Sequence, residues 1–84
     1  GGKMNIIYKK SAIKFLKNAD RKLSHRILNA IVGLTKEPPE GDIKTIQGRK
    51  DELRLRIGKY RIIYKYDKNT LEILDIDSRG DIYK

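Results

Sequence analysis

The chain lacks cysteine and tryptophan, and it holds one histidine, one phenylalanine and two prolines in 84 residues. Without thiols there are no disulfides and no thiolate ligands. A single His25 rules out a histidine-cluster metal site and every Ser-His or Cys-His nucleophile that does not use that one ring. It stands off the apolar stripe of its segment and reads as a surface residue. No apolar run approaches the roughly 20 residues that a membrane-spanning helix needs. No signal-peptide pattern of basic, apolar and small residues opens the chain. These absences predict a cytoplasmic protein that uses no metal and no cofactor. Acidic charge is also scarce, with 11 Asp and Glu against 20 Lys and Arg, a net charge of +9 and a pI near 9.9. Such an excess favours a polyanion, nucleic acid before an anionic membrane. The length suffices for one small domain with one core.

What is present is most legible in Glu52–Tyr66, where polar and apolar residues alternate on both sides of Gly58-Lys59. That pattern is a β-hairpin with a two-residue turn. With Gly58 and Lys59 as the turn, Leu53, Leu55, Ile57, Tyr60, Ile62 and Tyr64 share a core-facing side. Arg54, Arg56 and Arg61 share the other, and Arg56 stands opposite Arg61. Like charges directly opposed destabilise a sheet, so the pair calls for full solvation or a bound anion. The face reads as a phosphate site.

Around the hairpin, Met4–Tyr8 reads as a strand. Ser11 offers an N-cap for a helix to about Asn18, and Asp20 caps a second helix whose stripe is Leu23, Ile27, Ala30, Ile31 and Leu34. Pro38-Pro39 ends that pattern. Glu40–Asp51, with Gly41 and Gly48 and only Ile43 and Ile46 as apolar anchors, reads as mostly loop. Leu71–Ile76 is the next antiparallel strand, and Asp77–Lys84 a tail. The fold class is therefore α+β: an N-terminal strand, a two-helix hairpin, then a three-stranded antiparallel meander, with both helices on one face of a twisted sheet. Gly1-Gly2-Lys3 (1–3) reads as a cloning scar. Asp75 and Asp77 alternate on one face but lack the third carboxylate or histidine of a Mg²⁺ site, so they read as partners for nearby cations. Arg79-Gly80-Asp81 matches an adhesion tripeptide by coincidence.

Several stretches in this order resemble the RelE/ParE superfamily of toxins from type II toxin–antitoxin pairs, and more closely its RelE-like branch. They are the Ile6-Ile7-Tyr8 strand with Ser11-Ala12 entering the helix pair, Pro39-Glu40-Gly41-Asp42, Gly48-Arg49-Lys50, the Leu53–Gly58 arm, Tyr60–Tyr64 and Arg79–Tyr83. The resemblance covers 4–84, which it marks as a single RelE-like toxin domain. It implies a ribosome-dependent messenger RNA endonuclease, with Arg54, Arg56, Arg61, Arg79 and Tyr83 at the family's catalytic positions. Lys44, Arg49, Lys50 and Lys65 are candidate RNA-backbone contacts. It also implies an acidic, RelB-like antitoxin as partner, besides ribosome and messenger RNA. Two departures stand out. Ser78 occupies the place where many relatives carry a histidine, and arginine rather than lysine fills both first-arm positions. Arginine stays charged at physiological pH, so it suits charge stabilisation and not proton transfer. The alternatives are a ParE-like toxin that poisons gyrase by protein contact, and a catalytically inactive RNA- or ribosome-binding member.

Overall fold

The computed structural model describes residues 4–78, and Arg79 and Tyr83 lie outside that range. The elements are β1 (Asn5–Tyr8), α1 (Lys10–Asn18), α2 (Arg21–Gly33), β2 (Asp42–Ile46), β3 (Arg49–Ile57), β4 (Tyr60–Asp67) and β5 (Thr70–Asp77). They form a five-stranded sheet in the order β1-β5-β4-β3-β2. β1 runs parallel to β5, and the other neighbours are antiparallel. After α2 the chain starts again at the far edge of the sheet and meanders back to its own first strand. No described helix is long and apolar enough to cross a membrane.

The α+β reading holds, with a sheet wider than the sequence suggested. Glu40–Asp51 is not mostly loop: Asp42–Thr45 pairs with Arg56–Leu53, which makes the meander four-stranded. An edge strand needs apolar residues on one face only, and Asp42, Lys44 and Thr45 are exposed, so the segment offers little hydrophobic signal. The second correction concerns Ser11. The Lys9 N–H donates to the Ile73 carbonyl at 2.9 Å, which keeps the chain extended as far as Lys9. The cap position thus falls on Lys9, which makes no side-chain cap. Ser11 lies inside the first turn, where its hydroxyl donates to the Asp75 carboxylate. Asp20 does cap α2, accepting from the Leu23 N–H at 2.7 Å. The two helices are joined by the Ser24 hydroxyl, which donates to the Leu16 carbonyl at 3.2 Å.

Ala12, Ile27, Ile31 and Leu34 from the helices pack on Leu55, Ile62, Tyr64, Leu71, Ile73 and Ile76 from one face of the sheet. Full burial of each large aliphatic side chain stabilises by about 1.5–3 kcal/mol. A bulge makes the β5 contribution possible. Ile63 pairs with Asp75 and Tyr64 with Ile73, leaving Leu74 unopposed. Ile73 and Ile76, three residues apart, can then both face the core while Asp75 does not. Tyr66 donates to the Leu34 carbonyl at 2.8 Å and fastens the end of α2 to β4. Burial pushes the phenols of Tyr8, Tyr64 and Tyr66 up, with the neighbouring Tyr66 adding to the effect at Tyr64.

Gly41 leads into β2 at φ +127°, and a Cβ there would collide with Leu55 Cδ1. Gly41→Ala combines left-handed strain with a core clash, so it should lower stability by about 1–3 kcal/mol. Urea unfolding reads this as a reduced midpoint at unchanged slope. An unchanged midpoint would mean that the entry to β2 is not held against Leu55.

Candidate functional site

The β3–β4 turn sets the site. Gly58 takes φ +57° and Lys59 keeps a negative φ, the pattern of a two-residue turn with glycine first. The register follows as read: Leu53 with Tyr64, Arg54 with Ile63, Leu55 with Ile62, Arg56 with Arg61, and Ile57 with Tyr60. Arg54, Arg56 and Arg61 thus leave the face that the helices cover.

β2 and β5 extend these pairs into rows across the sheet. One row runs Asp42, Arg56, Arg61, Asp77, so a carboxylate stands outside each member of the opposed arginine pair. The next runs Lys44, Arg54, Ile63, Asp75. Further along, Lys65 pairs with Glu72 and Glu72 with Ile7. The sequence reading made Asp75 and Asp77 partners for nearby cations but did not set Asp42 or Asp77 beside the arginine pair, for a specific reason. Asp42 lay in the segment read as loop, and Asp77 lay just past the predicted end of its strand. Counted along these rows, five cations face four carboxylates. The face is a pattern of charge, close to neutral, and not a basic sheet.

Arg56 Nε donates to the Gly58 carbonyl at 3.2 Å, which holds its guanidinium near the turn. Arg54 differs from the other two. Its side chain is only 13% exposed, its Nε is buried without a hydrogen-bond partner, and its terminal nitrogen lies 3.6 Å from the Asp42 carboxylate. That separation gives Coulomb attraction without a normal hydrogen bond. A buried donor with no acceptor costs about 1–3 kcal/mol, so Arg54 has the most to gain from an incoming acceptor. A groove of about 270 Å³ beside it is lined by Lys44, Thr45, Ile46, Gln47 and Arg54.

The remaining candidates are scattered. Lys44 is exposed and in register with Arg54. Lys65 is paired with Glu72 at 3.6 Å, and Lys9 shares that carboxylate at 3.5 Å. Arg49 is paired with Glu52 at 3.0 Å, and Lys50 is exposed beside it, beyond the Gln47-Gly48 turn from β2. His25 is exposed on α2. Among the described residues, no three His, Cys, Asp or Glu side chains gather as a metal site would require.

Residues 6–83 match the family model described as ParE toxin of type II toxin-antitoxin system, parDE. Among solved structures, the chain is similar to a chain of the RelB-RelE antitoxin-toxin complex from Methanococcus jannaschii. The two are 26% identical, with a TM-score of 0.73 over 92% of this chain and 94% of that one. It is equally similar to the archaeal RelE-RelB complex from Pyrococcus horikoshii OT3, at 26% identity and TM-score 0.74 over 95% and 99% of the two chains. The RelBE2 toxin-antitoxin complex from Mycobacterium tuberculosis shares the fold, at 22% identity and TM-score 0.76 over 93% and 100%. A search of curated proteins finds no match.

The outer carboxylates make a prediction about this face. Asp42→Asn removes the charge that competes for Arg54 and should raise affinity for a polyanion such as heparin by roughly two- to fivefold, the range of an exposed ion pair. Elution salt on a heparin column measures this. Unchanged elution would show that Asp42 does not shield the arginines.

Proposed function

The chain belongs to the ParE toxin family of type II toxin–antitoxin systems, within the RelE/ParE superfamily, and from that premise we propose that it is a ribosome-dependent endonuclease of messenger RNA. The observation that carries this reading is the union of the opposed Arg56–Arg61 pair with the partner-poor guanidinium of Arg54 on one sheet face. Guanidinium groups bind phosphate through paired, charge-assisted hydrogen bonds and keep their charge throughout a reaction.

RNA carries its own nucleophile. The 2′-oxygen bonds to the adjacent phosphorus, the bond from phosphorus to the 5′-oxygen breaks, and the 2′ proton ends on the leaving oxygen. The products are a 2′,3′-cyclic phosphate and a free 5′-hydroxyl. The protein must align the attack and stabilise charge gathering on the phosphoryl oxygens. In this proposal Arg61 holds the scissile phosphate. Arg56 or Arg79 neutralises the transition state, Arg54 orients the substrate, and Tyr83 stacks on a base or assists proton transfer. The described tyrosines with raised pKa sit on the core side and take no part. With arginines at four of the five catalytic positions, cleavage leans on positioning and charge, and the ribosome supplies the remaining alignment. Lys44 and Lys50 are the freest of the proposed backbone contacts, since Arg49 and Lys65 already hold carboxylates.

The toxin's regulator in this reading is an acidic, partly disordered RelB-like antitoxin that folds over the arginine face. Two supports are the charge of the chain and the RelB partners named for the archaeal relatives. A second reading has one observation in its favour: the matching family model is that of ParE, so poisoning of gyrase by protein contact is the rival.

Primer extension on a message translated in a purified system separates the readings. Wild-type protein should cut at defined codon positions only when ribosomes are present, and Arg61→Ala should lower cleavage at least a hundredfold, as loss of a transition-state donor does. Absence of cuts together with inhibited gyrase supercoiling would replace the nuclease reading with the ParE-like one.

A further inference from the structure

The positive charge of this protein is not concentrated on the sheet. α1 and α2 carry Lys10, Lys14, Lys17, Arg21, Lys22 and Arg26 with no acidic residue in either helix. All six are exposed, and among the described residues none is in an ion pair. Asp20, the single carboxylate between the helices, is committed to capping α2. Like charges one turn apart, such as Lys22 and Arg26, work against a helix.

Part of this charge borders a cleft of about 690 Å³ between the start of α2 and the β3–β4 turn, lined by Asp20, Lys22, Leu23, Arg26, Lys59 and Tyr60. The ring of Tyr60 packs edge-on against Phe15 at 6.0 Å, and Lys59 Nζ lies 5.6 Å from its centre. The cleft is joined to the arginine face through Gly58. Arg56 Nε donates to the Gly58 carbonyl, while a terminal nitrogen of Arg26 lies 3.2 Å from where a Gly58 Cβ would stand. Two guanidinium groups, one from the sheet and one from the helix layer, thus converge on one turn residue. The register pairs Arg56 with Arg61 and, one step nearer the turn, Ile57 with Tyr60. Tyr60 therefore faces away from the arginine side but lies only one residue from it.

We propose that the Tyr60 cleft is a second nucleic-acid subsite, in which a single-stranded RNA crossing Arg56 and Arg61 bends over the Gly58-Lys59 tip, contacts Lys22, Arg26 and Lys59 through its phosphates, and lays a base against Tyr60. Cations with an aromatic ring among them suit a single strand, since the phosphates meet the charge and any base has a face to stack. The proposal deepens the nuclease reading by giving the substrate strand a path, and it rests on that reading for the choice of RNA.

Fluorescence anisotropy of a labelled single-stranded dodecanucleotide, 2′-O-methylated so that it cannot be cut, tests this on the full chain over a range of salt. Lys22→Ala with Arg26→Ala should weaken binding about tenfold and reduce the log–log salt slope by about 1.4, the value for two phosphates of a single strand. Tyr60→Leu should weaken it about tenfold at unchanged slope, and Tyr60→Phe, which keeps the ring, should bind like wild type. Lys10→Ala with Lys17→Ala removes the same charge away from the cleft and should have less than a twofold effect. An equal loss in that control, or full binding by a folded Tyr60→Leu variant, overturns the subsite. Equal binding of the duplexed oligonucleotide also overturns it, in favour of docking on folded RNA. Weakening by the cleft variants but not by Arg56→Ala with Arg61→Ala would instead remove the sheet reading and leave the cleft standing.

Discussion

The register of the β3–β4 hairpin is the constraint on which the rest of this structure depends. Side chains on a strand alternate, so a slip of one residue would carry Arg54, Arg56 and Arg61 into the core and Leu53, Leu55 and Ile57 out of it. Burying unpaired guanidinium groups costs far more than any alternative pairing could return. Gly58 enforces the choice locally by adopting φ +57°, and the core enforces it globally through Leu55, Ile62 and Tyr64. β2 and β5 take their places from this pair. Their carboxylates stand beside the arginines only because the register is what it is.

Charge is thereby divided between two layers with different characters. On the sheet, cations share their rows with Asp42, Glu72, Asp75 and Asp77, and specific guanidinium groups differ in how well they are satisfied. On the helices, cations accumulate without counterparts. A patterned face suits recognition of a phosphate at a defined position, because each arginine has a fixed neighbour and a defined cost of remaining unpaired. An unbalanced layer suits attraction of a polyanion at longer range, and its effect falls with salt. In the proposed nuclease reading, the first arrangement serves placement and the second serves capture. The Gly58-Lys59 turn is where they meet.

The hairpin, its turn and its two faces were legible because all three signals coincide there: alternation of period two, a glycine at the break, and aliphatic residues gathered mainly on one side, with Ile63 the exception. The second helix was legible from its apolar stripe and its Asp20 cap. β2 was not, because an edge strand that exposes Asp42, Lys44 and Thr45 has the composition of a loop. The bulge at Leu74 was hidden as well, since strict alternation from Leu71 would have turned Asp75 inward and gives no hint that Ile76 replaces it. Ser11 misled in the same way: it is a good cap by chemistry, yet the hydrogen bond from Lys9 to β5 had already moved the helix start upstream. At the candidate site the three hairpin arginines were found and Asp75 and Asp77 were read as partners for cations, whereas Asp42 as a neighbour of Arg54 and Arg56, and the partial burial of Arg54, were not.

The sequence alone therefore determined the α+β class, the hairpin register, the basic excess and the family resemblance, because each follows from residue type and spacing over a short span. Only the tertiary structure decided which strand lies beside which, and hence that Asp42 and Asp77 bracket the arginine pair, that the Nε of a half-buried Arg54 is enclosed without a partner, and that Arg26 meets Gly58 across the turn. These are contacts between residues distant in the chain. No local pattern encodes them, since they arise when the sheet closes its edges and the helices settle on one face.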